Sequence, residues 1–314
     1  MHFPPFPDDT DSLLYTQAKS FGVQEALDRS ASEPMGYAAL GVKGEDASAF
    51  LHGQFTADIA SLAVGDCATS ALCNPKGRVI AQMDVARTDD TAFALVMPQT
   101  LVQTVTDTLS RYILRSKVTL GAWSDHPVVL LRATSDALAI GTCTANSTTL
   151  RLRPRWLIGD LDNVELVTVD PDRLTVDDTD HPIALAHVLA AIAPPTTHTA
   201  LEHIPQMLNI DAFDGVSVTK GCYTGQEIIA RVHHRGSVKR RLRRFWVETT
   251  ATVAPGDPVF TQDGSQAGLV VESAAITDQR VGLLAVVKES AFAPDATLTC
   301  HDQGLAHWPL PYTI

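Results

Sequence analysis

The spacing of apolar and polar positions predicts strands that alternate with a few isolated helices. Downstream of Pro98, apolar residues recur at four-residue spacing (Leu101, Val105, Leu109 and Ile113), which predicts a helix with one apolar stripe. Alternating or continuous apolar runs predict strands over 69–73, 79–87, 91–97, 117–120, 127–132, 150–157 and 164–169. Strands interleaved with single helices in this order are typical of an α+β fold and not of a doubly wound sheet.

Three local signals add detail to this part of the chain. Asp46 precedes a short helix predicted over 47–52, and its side chain is expected to cap that helix. The segment Asn74-Pro75-Lys76-Gly77 separates two predicted strands; proline and glycine at these positions favour a type I turn, so a β-hairpin is expected. The apolar run over 183–193 predicts a helix that is too short to cross a bilayer.

The pattern changes after residue 242, where short strands follow one another with turns between them. These strands are predicted over 245–249, 258–262, 267–276, 281–287 and 296–300. Such regular spacing indicates a small β-barrel. We therefore expect a loosely ordered N-terminal arm over 1–30, an α+β domain over 31–238 and a C-terminal β-barrel over 239–314. The α+β domain can divide into subdomains near 31–120 and 121–238.

Composition and charge narrow the function classes. The 314 residues are 45% hydrophobic and 19% charged, which argues against a disordered chain and, at ~150 residues per domain, predicts about two domains. The net charge of −12 excludes a protein that coats nucleic acid generally. Five scattered cysteines without a C-x-x-C pair argue against a disulfide scaffold, and we predict no metal site. The N-terminus has no signal-peptide features, so a cytoplasmic location is expected.

The strongest chemical signal lies over residues 220–244. Gly221 and Gly225 flank Cys222 and allow backbone conformations, or a close approach to a ligand, that other residues do not. A helix is predicted from near Thr224, and its N-terminus favours an anion beside this loop. Seven cations follow within fourteen residues: Arg231, Arg235, Lys239, Arg240, Arg241, Arg243 and Arg244. This basic segment suits a polyanion, such as a polyglutamylated cofactor tail or RNA; the alternative is a solvated hinge between domains.

The residues KGCYTGQE at 220–227 are similar to the signature of the YgfZ family, which comprises folate-binding proteins related to the T-protein of the glycine cleavage system. Ile204-Pro205-Gln206 upstream and Arg235-Gly236 downstream agree with this signature. Further segments that resemble the family are FLHGQFTAD at 50–58, NPKGR at 74–78 and LPY at 310–312. The resemblance therefore runs from about residue 36 to the end of the chain.

The resemblance implies a fold, a cofactor and a role. The fold would be an aminomethyltransferase-like α+β folate-binding unit followed by a C-terminal β-barrel, and the cofactor would be tetrahydrofolate or a derivative. The role would be to support iron–sulfur cluster assembly or repair, notably for radical enzymes that thiolate tRNA. The implied partners are folate, iron–sulfur enzymes or assembly proteins, and tRNA through the basic segment over 231–244, with no membrane.

Aminomethyl transfer is not expected. The catalytic relatives carry an Asp-Asp pair on the strand that follows the hairpin glycine, whereas this chain has Ala81-Gln82 after Gly77. Neither side chain is a general base or stabilises an iminium cation. Folate binding without aminomethyl transfer is therefore the prediction.

Cys222 is the leading candidate for a catalytic or redox residue. Its position between Lys220 and a helix N-terminus is expected to favour the thiolate, which suits a redox contact or a transient cluster ligand. The alternative is a buried cysteine that acts as a small hydrophobic residue. Lys220 is expected to orient the thiolate or to meet a folate glutamate, and a surface cation is the alternative.

The candidate folate-binding residues are Tyr37, Tyr223, Gln226, Glu227, Arg231 and Arg235. Tyr37 is expected to stack on the pterin, unless it is only a strand-edge tyrosine. Tyr223 and Gln226 either hold the loop or contact the ligand. Glu227 contacts the pterin or pairs with Arg231 at i,i+4 spacing.

Two alternative functions stay open at this point. One is a folate-dependent one-carbon transferase or demethylase that uses a base outside the missing Asp pair. The other is a tRNA-binding module that uses the basic segment over 231–244, for which binding would weaken steeply with salt.

Overall fold

A computed structural model describes residues 36–124, 128–132, 137–146, 149–157, 161, 164–168, 183–195, 199–277, 279–292 and 296–314. The side chains of Leu131, Arg132, Ile183 and Arg235 are also outside this description, as is the predicted N-terminal arm over 1–30. The described residues form two compact units. The sheet unit comprises those between 36 and 179 and between 194 and 238, and the barrel unit comprises those over 183–193 and from 239 onward.

The sheet unit is built on a nine-stranded sheet with the order β2-β3-β4-β1-β6-β9-β8-β7, with β5 also paired to β1. Its strands are β1 (Tyr37–Lys43), β2 (Cys67–Cys73), β3 (Val79–Asp89), β4 (Ala92–Pro98), β5 (Thr119–Ala122), β6 (Val128–Arg132), β7 (Thr142–Ala145), β8 (Leu150–Arg153) and β9 (Val164–Thr168). All pairings are antiparallel.

The hairpin predicted from Asn74-Pro75-Lys76-Gly77 is confirmed. Gly77 N donates to Asn74 O at 2.9 Å, which closes the turn, and the Asn74 side-chain oxygen accepts from Lys76 N and Arg78 N. Strands β2 and β3 then pair so that Ala71 lies opposite Gln82 and Thr69 lies opposite Asp84.

Helices α1 (Ala47–Gln54), α2 (Gln99–Ile113) and α4 (Gln226–Arg235) belong to the sheet unit. The predicted stripe on α2 is confirmed, because Leu101, Val105 and Leu109 are buried in a core that also contains Phe55 and Phe93. The expected Asp46 cap of α1 is wrong. The side chain makes no capping hydrogen bond and accepts instead from Lys117 N at 2.7 Å.

The barrel unit contains a closed six-stranded barrel with the order β10-β13-β12-β11-β14-β15. Its strands are β10 (Arg240–Glu248), β11 (Pro258–Thr261), β12 (Gln266–Thr277), β13 (Arg280–Lys288), β14 (Leu298–Cys300) and β15 (Gln303–Trp308). Pairing of β10 with β15 closes the ring, which leaves no edge strand open. The predicted α+β fold with a C-terminal barrel is therefore confirmed.

Helix α3 (Ile183–Ala190) packs on strands β12 and β13 of the barrel unit. His187 Nδ1 lies 2.9 Å from Glu272 Oε2, and both side chains are buried. The Tyr312 hydroxyl donates to Ala191 O at 2.5 Å, so the end of the chain is attached to the residues that follow α3. This helix belongs to the barrel unit, whereas the prediction from sequence places it in the α+β domain over 31–238.

Among the described residues, no helix combines the length and the apolar character that a bilayer crossing needs.

Candidate functional site

Lys220 begins the loop that precedes α4, and its ammonium group donates to three backbone carbonyls. Nζ lies 2.6 Å from His52 O, 2.5 Å from Phe55 O and 2.8 Å from Ala57 O. These carbonyls lie in and just after the last turn of α1, where helical carbonyls lack intrahelical partners and favour a cation. Because an ammonium group has three N–H donors, all of them are used here.

This position of Lys220 differs from the one expected from sequence. With every donor committed to a carbonyl, none is left for a hydrogen bond to the Cys222 thiolate or to a ligand carboxylate. Burial lowers the pKa of Lys220 to about 8, although Asp58 opposes the change. The ammonium also lies 4.6 Å from the centre of the Tyr223 ring, a cation–π distance. Lys220 thus attaches the loop to α1.

Two glycines bring the same loop against the β2–β3 hairpin. Gly225 immediately precedes α4 with φ +84°, and Gly77 ends the hairpin turn with φ +70°. A Cβ on Gly225 would lie 2.6 Å from Asn74 O, which is too close for any side chain. Only glycine allows both the left-handed conformation and this approach of two backbones.

Gln206 of the Ile204-Pro205-Gln206 segment and Gln226 of KGCYTGQE also hold the loop in place. Gln206 Nε2 donates to Ile229 O in α4 at 2.9 Å, in a buried position. Gln226 Nε2 donates to Lys220 O at 3.3 Å and so joins the two ends of the loop. The segments over 50–58, 74–78, 204–206 and 220–227, which carried the resemblance, therefore meet in one place.

Tyr223 lies on the inner side of the loop and Cys222 on the outer side. The Tyr223 side chain is buried, and its hydroxyl has no hydrogen-bond partner within the described part of the chain. Burial, and to a lesser extent the neighbouring Cys73 thiol, raise the pKa of the Tyr223 phenol. Cys222 is exposed, whereas Cys67, Cys73, Cys143 and Cys300 are all buried. The loop therefore presents its thiol to solvent.

Tyr37 is the first residue of β1 and is buried, with 3% of its surface exposed. It lies opposite Pro98 of β4 and Val128 of β6, near the middle of the sheet order. Tyr37 is therefore not at an edge strand of the sheet.

Glu227 and Arg231 form an ion pair on the outer face of α4. Glu227 Oε1 and Arg231 Nη2 are 2.7 Å apart, and the two side chains are 82% and 61% exposed. An exposed i,i+4 pair stabilises a helix by only ~0.2–0.5 kcal/mol. Arg235 ends α4, and its side chain lies outside the described residues.

The basic segment does not present all of its cations to solvent. In the barrel unit, Arg244 is buried, donates to the carbonyls of Leu189 and Pro309, and lies 4.3 Å from the centre of the Trp308 ring. Arg243 pairs with Glu289 at 2.7 Å. Lys239 and Arg240 are exposed. Packing therefore uses at least Arg243 and Arg244, so a polyanion would meet fewer than the seven cations of the basic segment.

The strand position of the missing Asp pair is occupied by buried side chains. Ala81 belongs to the core between sheet and helices, and Gln82 is buried on the opposite face with no partner for its Oε1 among the described residues. Asp84 lies two residues further on the same face and accepts from Thr69 Oγ1 at 2.7 Å and from Trp156 Nε1 at 2.9 Å.

Asp84 is a buried carboxyl that the sequence analysis did not single out. It is 3% exposed, and burial raises its pKa to about 7 despite the two hydrogen bonds. Strand periodicity was the available signal, because residues i and i+2 of a strand share a face.

Comparisons with known proteins give the relatives of this chain. The family described as GCVT N-terminal domain matches residues 34–132. A protein of Yersinia enterocolitica named tRNA-modifying protein YgfZ is 28% identical over 305 residues, which cover 88% of this chain and 91% of that protein. A protein of the same name from Aliivibrio fischeri is 26% identical and covers 90% of this chain and 92% of its own length.

The structural comparison identifies the fold. The crystal structure of glycine cleavage system aminomethyltransferase T from Bartonella henselae superposes with a TM-score of 0.72 at 14% identity, over 88% of this chain and 84% of that one. The chain therefore has the fold of the glycine cleavage T-protein, and its resemblance to the YgfZ proteins, predicted from the KGCYTGQE segment, is confirmed over 88–90% of its length.

Proposed function

We propose that this protein is a folate-binding accessory factor in tRNA modification that supports the iron–sulfur clusters of tRNA-thiolating enzymes. The relatives named tRNA-modifying protein YgfZ support the general role. The iron–sulfur part of the proposal depends on one observation. The thiol of Cys222 is exposed on a loop that hydrogen bonds hold at both ends.

Because the loop is held at both ends, Cys222 has a defined position as well as an exposed thiol. The two together support a functional role for Cys222 better than exposure alone. Lys220 attaches the start of the loop to α1, and Gly225 places its end against the hairpin. A thiol must be accessible to react with another protein or to share a metal ligand position with it. One thiolate does not hold a cluster by itself, so the proposed contact is transient or redox in nature and a client protein supplies the other ligands.

Unpaired oxygen atoms in the sheet unit support a folate ligand. Buried oxygen atoms without a hydrogen-bond partner among the described residues include Gln54 Oε1, Gln82 Oε1 and the Tyr223 hydroxyl. Leaving such an atom unpaired costs about 1–3 kcal/mol. A pterin carries amide and amino N–H groups that pair with oxygen atoms of this kind.

Other candidate residues have defined parts in this proposal. Tyr37 would stack on the pterin ring. Arg231 and Arg235 on α4 would meet the carboxylates of the glutamate tail. Gln226 and Glu227 act on the ligand only through the loop and the helix that they support. Ala81 and Gln82 provide no base at the position of the Asp pair, so the proposal includes no aminomethyl transfer.

The binding part is tested by anaerobic calorimetric titration with tetrahydrofolate. We expect micromolar affinity for the wild type, the same affinity for Tyr37→Phe, and at least a ~10-fold loss for Tyr37→Leu, because only leucine lacks the ring face. Tyr112→Leu is the matched control, since Tyr112 is 41% exposed on α2. Absence of binding by the folded wild type would overturn the folate proposal.

The role of Cys222 is tested in cells that lack the endogenous protein. We expect Cys222→Ser to reduce thiolated tRNA to the level of the empty-vector strain while the protein accumulates normally and still binds tetrahydrofolate. Cys143→Ser, at a buried position in the same unit, is the control. Full restoration of thiolated tRNA by Cys222→Ser would remove the cysteine from the proposal and leave folate binding standing.

A further inference from the structure

Three potential metal ligands come together on the barrel unit, whereas the loop of Cys222 belongs to the sheet unit. His301 Nε2 lies 2.7 Å from Asp257 Oδ2. One ligand atom each from Asp257, Cys300 and His301 lies within 4.8 Å of the other two. Cys300 is buried, whereas His301 is exposed and Asp257 is partly exposed. The cluster therefore has a thiol at its base and an open side toward solvent.

The turn between β14 and β15 creates this arrangement. Cys300 ends β14, Gln303 begins β15 opposite it, and the two residues between them have φ +49° (His301) and φ +60° (Asp302). Positive φ at both central positions defines the type I′ hairpin turn, which asparagine and glycine usually occupy. Consecutive residues of a strand point to opposite faces, but His301 has left the strand, so its ring reaches the atoms beside Cys300.

The third ligand is held in place before any ion binds. Asp257 Oδ2 accepts a hydrogen bond from Ala254 N at 2.8 Å, within the turn that precedes β11. Hydrogen bonds to a ligating carboxylate are a common way to orient it toward a metal. The hydrogen bond from Ala254 therefore positions the Asp257 carboxylate, and the type I′ turn positions the His301 ring.

The donor set indicates which class of ion fits. One sulfur, one nitrogen and one oxygen donor match zinc and other late first-row divalent ions, whereas magnesium and calcium prefer oxygen donors only. At the usual zinc bond lengths, ligand atoms of a tetrahedral site lie about 3.3–3.6 Å apart. To admit an ion, His301 Nε2 and Asp257 Oδ2, which are 2.7 Å apart, must separate by about 0.6 Å, and Cys300 Sγ, within 4.8 Å of both, must approach by up to about 1 Å. An exposed histidine side chain can make a shift of this size.

We propose that Asp257, Cys300 and His301 form a three-ligand site for a zinc-class divalent ion, with a fourth position open to water or to an external ligand. This replaces the prediction from sequence that no metal site is present. Three protein ligands and an open position are the arrangement of catalytic or exchangeable zinc rather than of a closed structural site. Binding releases the proton of the Cys300 thiol, because the thiolate is the metal ligand.

The competing interpretation is an ion pair between His301 and Asp257 that only closes the hairpin, with Cys300 as a core residue. Both interpretations agree that the three side chains are close. They differ in whether Cys300 responds to an added ion.

Titration of the purified full chain with Co²⁺ distinguishes the two. The Cys222→Ser variant serves as the parent protein, so that the exposed thiol does not contribute. We expect one equivalent of Co²⁺ to produce a near-ultraviolet thiolate charge-transfer band together with the visible bands of a tetrahedral ion, and Zn²⁺ to displace it.

Two substitutions in the same parent test the ligands. Cys300→Ser should abolish the charge-transfer band. His301→Asn retains a residue that tolerates the left-handed turn, and it should weaken Co²⁺ binding by more than ~10-fold. Cys143→Ser is the control and should leave the spectrum unchanged.

A thermal unfolding series without metal verifies that each variant is folded, and a second series with Zn²⁺ provides an independent readout. Zn²⁺ should raise the midpoint of the parent protein and not that of His301→Asn, because a ligand stabilises only the state that binds it. Absence of the charge-transfer band in the folded parent, or a band that survives both substitutions, would show that the cluster is an ion pair only.

Discussion

Gly77 and Gly225 are in direct backbone contact: a methyl group on Gly225 would lie 2.9 Å from Gly77 Cα. Gly77 belongs to the NPKGR segment and Gly225 to KGCYTGQE. The contact therefore joins two segments whose glycines are 148 positions apart in the sequence (225 minus 77). Each has a positive φ, +70° and +84° respectively. The two glycines thus allow the loop to lie against the hairpin, and this loop carries the exposed Cys222.

Gly225→Ala should destabilise the protein more than a glycine substitution at a comparable φ elsewhere. Gly264 is the matched control, because its φ is +79° and no atom lies within 4 Å of its added Cβ. Alanine costs about 1–2 kcal/mol at either position for the left-handed conformation. The steric clash at Gly225 should lower the free energy of unfolding by a further ~1–3 kcal/mol, as measured by urea denaturation. Equal effects at the two positions would contradict the contact.

Lys220→Met should destabilise the protein and loosen the loop that follows it. Methionine preserves the apolar part of the side chain but leaves the carbonyls of His52, Phe55 and Ala57 without their donor. We expect a loss of about 1–3 kcal/mol in the free energy of unfolding and faster amide hydrogen exchange over 221–224.

The control for this change is Lys117→Met. Lys117 pairs with Glu45 at 2.6 Å, but both side chains are more than 70% exposed, so the effect should stay below ~1 kcal/mol. Unchanged hydrogen exchange over 221–224 in Lys220→Met would show that the ammonium does not hold the loop.

Asp84→Asn should flatten the dependence of stability on pH. Burial raises the pKa of Asp84 to about 7, so the folded state holds its proton more tightly than the unfolded state does. The stability that this provides is fully present below about pH 4 and is lost as pH rises through about 7. One such proton contributes a slope of at most ~1.4 kcal/mol per pH unit, which the asparagine variant should lack.

Chemical denaturation at a series of pH values between 4 and 8 measures that slope. Asp107→Asn is the control, since Asp107 is an exposed residue on α2 whose carboxylate accepts from Gln103. If Asp84→Asn and the wild type had parallel profiles, Asp84 would not be the group that titrates in this range.

Glu272→Ala should destabilise the barrel unit strongly, whereas Glu248→Ala should not. Glu272 lies 2.9 Å from His187 with both side chains buried, and breaking a buried pair typically costs 3–5 kcal/mol. Glu248 lies 2.8 Å from Arg280 but is 69% exposed, so its loss should cost ~0–1 kcal/mol. Comparison of the two unfolding midpoints in urea checks this, and similar midpoints would show that the buried pair does not hold α3 on the barrel.

Several parts of the fold were predictable because their signals are local. The four-residue spacing on α2 and the proline and glycine of the hairpin turn act within a few residues, so they are visible without the tertiary structure. Strand β1 was missed because Ala38, Ala39 and Gly41 have low β-propensity. It becomes a strand through its pairing with β4, β5 and β6 in the middle of the sheet.

By itself, the sequence determined the α+β class and the C-terminal barrel. It also identified KGCYTGQE, which contains Cys222, as the segment with the strongest chemical signal. The tertiary structure decided what Lys220, Arg244 and His301 do. Lys220 reaches carbonyls up to 168 positions away, Arg244 is buried against backbone, and His301 meets Asp257 across 44 positions. The physical reason is range: periodicity and turn chemistry depend on neighbours in the chain, whereas the desolvation and pairing of a charge depend on whatever the fold packs against it.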